Sequence, residues 1–277
     1  MKSFQIKRFW HTLRWYISEN RNKLLGWSLG LSMIVLANEA FNHFLMLNTG
    51  AKNEIDNGDI SQIVFGIGIF ISLIAMLIAF SCISTPLKTK QKRIAYFTLP
   101  ATNLERYLVC LIYVLVIWPV CIMAGTALGD LLHTLLFGLL GKGWDSGVIA
   151  HVSDLFTSGK TTNMRAFLQE SVIYSGLFWV VSVYILCGIW LRKRAFPITT
   201  LAFFALSILV LLATDFSIHH LSKEYLISLF MRITPSMMNT ILIGTTLLFT
   251  GISILHLYFG YRIFKRYQII TSKWFNI

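Results

Sequence analysis

Charge is what this sequence has least of. Only 13% of its 277 residues are Asp, Glu, Lys or Arg, against about 25% in an ordinary soluble domain. There are too few charged side chains to cover a water-facing surface, and with 56% hydrophobic residues the chain is expected to be a polytopic membrane protein. Acids are scarcer still: 12 Asp and Glu stand against 24 Lys and Arg, a net charge of +12. In a soluble protein that excess suggests nucleic acid. In a membrane protein it first raises the question of which side of the bilayer the charges occupy. Cysteine is rare as well. Cys82, Cys110, Cys121 and Cys187 all fall in apolar stretches, where they read as small packing residues and argue against a disulfide framework.

Long apolar runs are what the chain has instead. A membrane-crossing helix needs about 20 mainly apolar residues to traverse about 30 Å of hydrocarbon. Six stretches qualify: Leu24–Leu47, Ser61–Thr85, Tyr107–Leu128, Ser171–Leu191, Ile198–Thr214 and Ser236–Tyr261. Uninterrupted runs of this kind satisfy their backbone groups as helices and not as alternating strands. The expected fold class is therefore all-α, a six-helix bundle over residues 24–261 preceded by residues 1–23 and followed by a tail at 262–277. Apolar character persists after the third stretch, past Gly129 and Asp130 to Leu140. One helix from Tyr107 to Leu140 would be about 50 Å long, so a break near Gly129 with a short interfacial helix beyond it is expected. Pro119 is expected to kink the span.

The spans give the charges an address. Lys2, Lys7, Arg8, Arg14, Arg21 and Lys23 precede the first span, and Lys88, Lys90, Lys92, Arg93 and Arg106 lie between the second and third. Arg192, Lys193 and Arg194 separate the fourth and fifth, and Arg262, Lys265, Arg266 and Lys273 follow the last. The acids on that side are Glu19 and Glu105, whereas the opposite loops are richer in acids than in bases. The positive-inside rule then puts both termini in the cytoplasm, as an even number of spans requires. The charge orients the spans and is not a nucleic-acid footprint.

In residues 1–23, Ile6, Phe9, Trp10, Leu13 and Ile17 recur at helical spacing, with Lys7, Arg8, Arg14 and Arg21 around the polar side. This predicts a basic amphipathic helix lying on the cytoplasmic face, aromatics at headgroup level and cations near anionic lipid. The long charged region, its tryptophans and the lack of a small-residue cleavage site speak against a cleaved leader.

Several patterns match by letters and fail by context. Gly26-Trp27-Ser28-Leu29-Gly30 fits a nucleophile elbow, but that motif needs a strand-to-helix turn over a sheet. The same residues, and Gly125 to Gly129, also fit the small-residue spacing of close helix packing. Ser158-Gly159-Lys160-Thr161 resembles the end of a phosphate-binding loop, yet Asp154 stands where its first glycine belongs. ATP-driven work would therefore require a separate ATPase. Asp130 with His133, His151 with Asp154, and Asp215 with His219 and His220 lack the spacing of a metal site, and no metal or other cofactor is expected. Inside the membrane, where a charge costs several kcal/mol, Glu39 is the clearest functional candidate. Asn42 and His43 lie beside it, with Glu39 and His43 on one helix face at i,i+4. Together they are candidates for a transport path.

The most informative segment follows the second span. A basic stretch from Lys88 to Arg93 leads through Tyr96 to Leu99-Pro100-Ala101-Thr102 and then Asn103-Leu104-Glu105-Arg106. Pro100 stops what precedes it, and Thr102 or Asn103 is suited to cap a helix whose first turns hold Glu105 and Arg106. On the basic side of the membrane this forms a compact cytoplasmic knob. On these residues the sequence resembles the membrane subunits of ABC-2-type ABC transporters, bacterial permeases with a cytoplasmic amphipathic helix, six spans and a Leu-Pro-small-Ser/Thr element after the second span. Asn103 stands where the family often has a basic residue. The stretch from Asp215 to Pro235 resembles the external re-entrant helices of such permeases.

The resemblance implies a transport subunit without catalytic residues of its own, in a bacterial cytoplasmic (inner) membrane. Tyr96, Leu99, Pro100, Thr102, Asn103, Glu105 and Arg106 would couple it to a cytoplasmic ABC ATPase. A second permease, identical or related, and membrane lipid would be its other partners. Export of an amphipathic peptide, antibiotic or lipid-like substrate is the implied activity. The alternatives are an accessory or scaffold membrane protein and an intramembrane metal-dependent enzyme.

Overall fold

A computed structural model of the chain describes residues 4–48, 57–87, 90–140, 164–191, 194–220 and 234–266. Among them every element is helical. In order they are α1 (Ile6–Asn48), α2 (Asn57–Ser81) running on into a 3-10 helix (Cys82–Leu87), α3 (Lys90–Thr98), α4 (Asn103–Ile112), a π-helical turn (Tyr113–Ile117) and α5 (Trp118–Leu139). Then come α6 (Met164–Trp190), α7 (Ala195–His220) and α8 (Pro235–Lys265). The chain is an all-α multi-pass membrane protein. Its spanning candidates, Ile6–Phe41, Gly66–Ser84, Asn103–Leu139, Met164–Trp190, Ala195–Asp215 and Ser236–Lys265, each coincide with one expected span. Large apolar side chains such as Met33, Phe70, Val120, Phe204, Leu209 and Leu247 project outwards, which suits a hydrocarbon solvent and would be untenable in water.

Two compact units divide the chain. The first contains α1, α2 as far as Ala79, α4, the π turn and α5. Its centre is the packing of α1 on α5. A Cβ placed on Gly125 or Gly129 would lie 2.6 Å from the carbonyl oxygen of Ser28 or Ser32, closer than any real side-chain carbon approaches. Only glycine permits the two backbones to come so near. Towards the N-terminal end of α1 the contact passes to aromatic rings: Trp27 meets Trp118 edge-on at 5.7 Å and Tyr16 meets Tyr113 at 4.6 Å. Pairs of this geometry contribute about 0.5–1.5 kcal/mol beyond their buried area.

Two expectations are corrected here. No break separates the amphipathic segment 1–23 from the first span; α1 is one helix of 43 residues. The polar stretch Glu19-Asn20-Arg21-Asn22-Lys23 contains neither proline nor glycine. The Asn20 side chain donates back along the helix to the Tyr16 carbonyl at 2.9 Å, so it does not cap a new start. Of the apolar face, Phe9 and Leu13 are buried with Tyr16, while Ile6 and Trp10 stay exposed. Nor is there a break at Gly129: α5 continues through it to Leu139. A glycine inside a helix costs about 1 kcal/mol, but here it admits α1, and Asp130 beside it is buried within the fold. The irregularity expected at Pro119 is taken up by the π turn immediately before it. Proline has no N–H for the carbonyl four residues back and its ring crowds that carbonyl, and a π turn relieves both by changing the bonding register.

The second unit comprises the end of α2 from Phe80, the 3-10 helix, α3, α6, α7 and α8. Gly188 of α6 rests on the backbone of Ser81, again with a would-be Cβ 2.6 Å from a carbonyl oxygen. Trp179 of α6 stacks on Phe249 of α8 at 5.6 Å, and Tyr184 stacks on Phe203 of α7 at 5.7 Å. All four cysteines are free thiols.

Candidate functional site

The segment expected to couple to a partner is built around one carboxylate. Thr102 is the N-cap of α4, its Oγ1 accepting from the Glu105 N–H at 3.2 Å, while Glu105 Oε2 accepts from the Thr102 N–H at 2.7 Å. This capping box satisfies two N–H groups that have no partner within the helix. Glu105 Oε1 reaches further. It accepts from the backbone N–H of Gln5 at 2.8 Å and from Arg8 Nη2 at 3.2 Å. Gln5 immediately precedes α1, so a single carboxylate lies at the N-terminal, electropositive ends of two helices at once. Arg106 holds the preceding turn, donating to the Leu99 carbonyl at 2.6 Å and to Asn103 Oδ1 at 3.4 Å. The turn itself is closed by the Ala101 N–H on the Leu99 carbonyl at 2.8 Å.

This geometry sorts the seven sequence candidates. Glu105 and Arg106 are buried and act as internal fasteners of the knob. Tyr96, on α3, is also buried, its ring 6.0 Å from that of Phe97. Leu99 and Thr102 are half-buried, and Pro100 and Asn103 are exposed. Leu104, absent from the sequence candidates, is exposed and completes the outward face. Gln5 and Arg8 were missed too. The Thr-x-x-Glu spacing of 102–105 signals a capping box, but nothing in the sequence reveals that the same carboxylate takes a second and a third donor from residues about 100 positions away.

The intramembrane candidates are rearranged. Glu39 on α1 faces α5, where its Oε2 is 3.1 Å from His133 Nδ1 and Asp130 is within hydrogen-bonding reach of its carboxyl group. Asn42 and His43 continue α1, but their side chains lie outside the described residues. The pair Asp130 and His133 thus belongs with Glu39. Of the other acid and histidine groups, Asp215 is exposed near the end of α7, while the side chains of His219 and His220, and all of His151 and Asp154, lie outside the described residues. So do Ser158 to Thr161, most of the stretch from Asp215 to Pro235, and the tail from residue 267. Among the described residues no three His, Cys, Asp or Glu side chains are grouped to hold a metal.

One further pair has the outward form of a catalytic dyad. Ser182 of α6 is fully buried with its Oγ 3.0 Å from His256 Nδ1 on α8. The hydroxyl proton, however, is given to the Trp179 carbonyl at 2.7 Å, which leaves Oγ to accept from the imidazole. A base must take the proton from its nucleophile, so this pair ties α6 to α8 and is not poised for nucleophilic attack. No family model, curated protein or solved structure matches the chain.

Proposed function

We propose that the chain is the permease subunit of an ATP-driven ABC transporter of the ABC-2 type, in a bacterial cytoplasmic membrane with both ends in the cytoplasm. The observation that carries this reading is the knob at Leu99–Arg106. It has a preorganised outward face, Pro100, Asn103 and Leu104, on a base whose polar groups are consumed internally. Such a surface docks a partner without ordering cost. Its rigidity also suits force transmission. A pull on the knob reaches α1 through Glu105, Gln5 and Arg8, and reaches the membrane through α4, the π turn and α5, which follow one another without a break. Closure of two ATPases beneath a pair of permeases would thereby rock the spans.

Export of an amphipathic peptide, antibiotic or lipid-like molecule fits an open groove of about 490 Å³ between α1 and α2, lined by Trp27, Leu31, Ile71 and Ile74 with Lys23 among its residues. An apolar wall with a single cation suits a substrate that is mostly hydrocarbon. The test is purification from native membranes in mild detergent. An ATP-hydrolysing subunit should accompany the wild type and be reduced at least about tenfold in the double variant Asn103→Glu, Leu104→Glu, a loss of about 1.4 kcal/mol of binding free energy or more. Equal recovery of that subunit with both proteins would remove the knob from the account.

A further inference from the structure

The second unit holds an open groove of about 520 Å³ between α6 and α7, walled by Trp179, Val183 and Trp190 on one side and by Ile198, Ala202 and Leu206 on the other. Its lining is almost wholly apolar. Thr199, also in the wall, donates its hydroxyl proton to the Ala195 carbonyl at 2.8 Å, and Cys187 is a free thiol, a side chain of mainly apolar character. Both walls belong to spanning helices, so whatever fills the groove is apolar along its length. From Trp179 to Trp190 the groove follows about 16 Å of helix. A volume of about 520 Å³ over that length gives a mean cross-section of about 30 Å², whereas an α-helix with its side chains, about 10 Å across, takes about 80 Å². A helix of a second copy could lie across the mouth of the groove without entering it. A single extended acyl chain fits inside.

One end of the groove says which chain-bearing molecule belongs there. α6 stops at Trp190 and α7 begins at Ala195, so this end lies at a membrane surface, and the exposed Trp190 stands at headgroup level. The connection reads Arg192-Lys193-Arg194. Arg194 is exposed and lies one helical turn from Ile198 in the groove wall, the Ile198 N–H donating to the Arg194 carbonyl at 3.3 Å. Its φ is 56°, a left-handed conformation that disfavours an L side chain and suits glycine. A guanidinium is thus held at the groove end on a backbone that favours no side chain at all. No acid of either wall offsets it locally. Ser171 to Thr214 contains neither Asp nor Glu, and Glu170 and Asp215 are each about 30 Å of helix away.

We propose that this groove is a binding site for an anionic glycerophospholipid, one acyl chain lying along it between α6 and α7 and the phosphate group meeting Arg194 at its end. The guanidinium offers a phosphate two parallel N–H donors, and each base near the surface adds to the preference for anionic over zwitterionic lipid. The site stands whether or not an ATPase couples to the knob.

Photo-crosslinking of the full-length protein in phosphatidylcholine vesicles tests the proposal. The probe is phosphatidylglycerol with a diazirine midway along one acyl chain, compared with phosphatidylcholine carrying the same chain, and adducts are mapped by mass spectrometry. Phosphatidylglycerol should label the groove walls around Val183 and Ala202 at least about fivefold more strongly than phosphatidylcholine does. Leu247, which projects from α8, should be labelled equally by both. Arg194→Asn, an uncharged residue that tolerates the same backbone, should lower groove labelling by phosphatidylglycerol about fivefold, the effect of one base near an anionic lipid. Ala202→Phe fills the groove from its wall and should abolish the groove adducts while leaving those at Leu247. Should either variant fail to fold, the ratio between the two lipids on the wild type alone decides. Equal labelling of the groove by both lipids, labelling unchanged in Arg194→Asn or Ala202→Phe, or no groove adduct, as when a second copy of the chain covers the site, overturns the proposal.

Discussion

Glu105→Ala is expected to lower the midpoint of thermal unfolding by about 10 °C, with a cost of about 4 kcal/mol at about 2–4 °C per kcal/mol for a chain of this size. The magnitude follows from what the carboxylate does. It accepts from Thr102, Gln5 and Arg8, and hydrogen bonds to a charged group contribute about 1.5–3 kcal/mol each, with losses that overlap when one group makes several. Its side chain is wholly buried, so water does not replace it, and the Arg8 guanidinium loses its counter-charge. Glu105→Gln should cost about half as much, because the amide keeps one accepting oxygen while its NH2 faces a donor. Unfolding is read from the reaction of a maleimide dye with the buried Cys110, one turn along α4, after the three other cysteines are replaced by serine. A midpoint within about 1 °C of the parent, well under the shift that 1 kcal/mol produces, would show that the two helix ends do not depend on this residue.

Glycine substitutions with the same sequence spacing should have opposite signs. Gly129→Ala puts a methyl 2.6 Å from the Ser32 carbonyl and 2.9 Å from the Val35 Cβ, where the obstacles are backbone and a branched carbon and cannot swing aside. Forcing the helices apart costs about 1–3 kcal/mol in a packed interior, which outweighs the gain of about 1 kcal/mol in helix propensity. Gly129→Leu should cost more. At Gly30, by contrast, a Cβ meets nothing within 4 Å, so Gly30→Ala should stabilise the monomer by up to about 1 kcal/mol. The same dye assay, run on monomeric protein, measures both. If Gly30→Ala destabilises the monomer as much as Gly129→Ala, the small-residue contact has been placed on the wrong stretch of helix.

The contrast between these glycines marks what the sequence discloses. Composition and run length make the six apolar helices legible, since each must satisfy its own backbone in hydrocarbon and nothing long-range is needed to see it. The capped turn at Thr102 was legible for the same reason, as a pattern of four consecutive residues. What was hidden is long-range. Gly26 and Gly30 read the same as Gly125 and Gly129, and only the pairing of α1 with α5 decides which pair is packed. That Glu39 and His43 share a helix face is legible from their i,i+4 spacing, whereas the neighbours of Glu39 on α5, Asp130 and His133, are some 90 residues away and are not. The break at Gly129 was expected from length alone, a helix of about 50 Å against about 30 Å of hydrocarbon, and it failed because the glycine serves the packing on Ser32, which run length does not disclose. Glu105 was placed on the docking surface by resemblance, and its burial against Gln5 and Arg8 moves it inside and brings Leu104 out.

The central claim, that the outward face of the Leu99–Arg106 knob docks an ATPase, is tested most directly by photo-crosslinking from that face in intact membranes. A photoreactive amino acid in place of Asn103 should give an adduct with an ATP-binding subunit, its yield changing when ATP hydrolysis is blocked by vanadate. The same probe in place of Phe204, which projects from α7, should give none. An Asn103 probe that finds only lipid, in membranes where the protein is folded and abundant, contradicts the account.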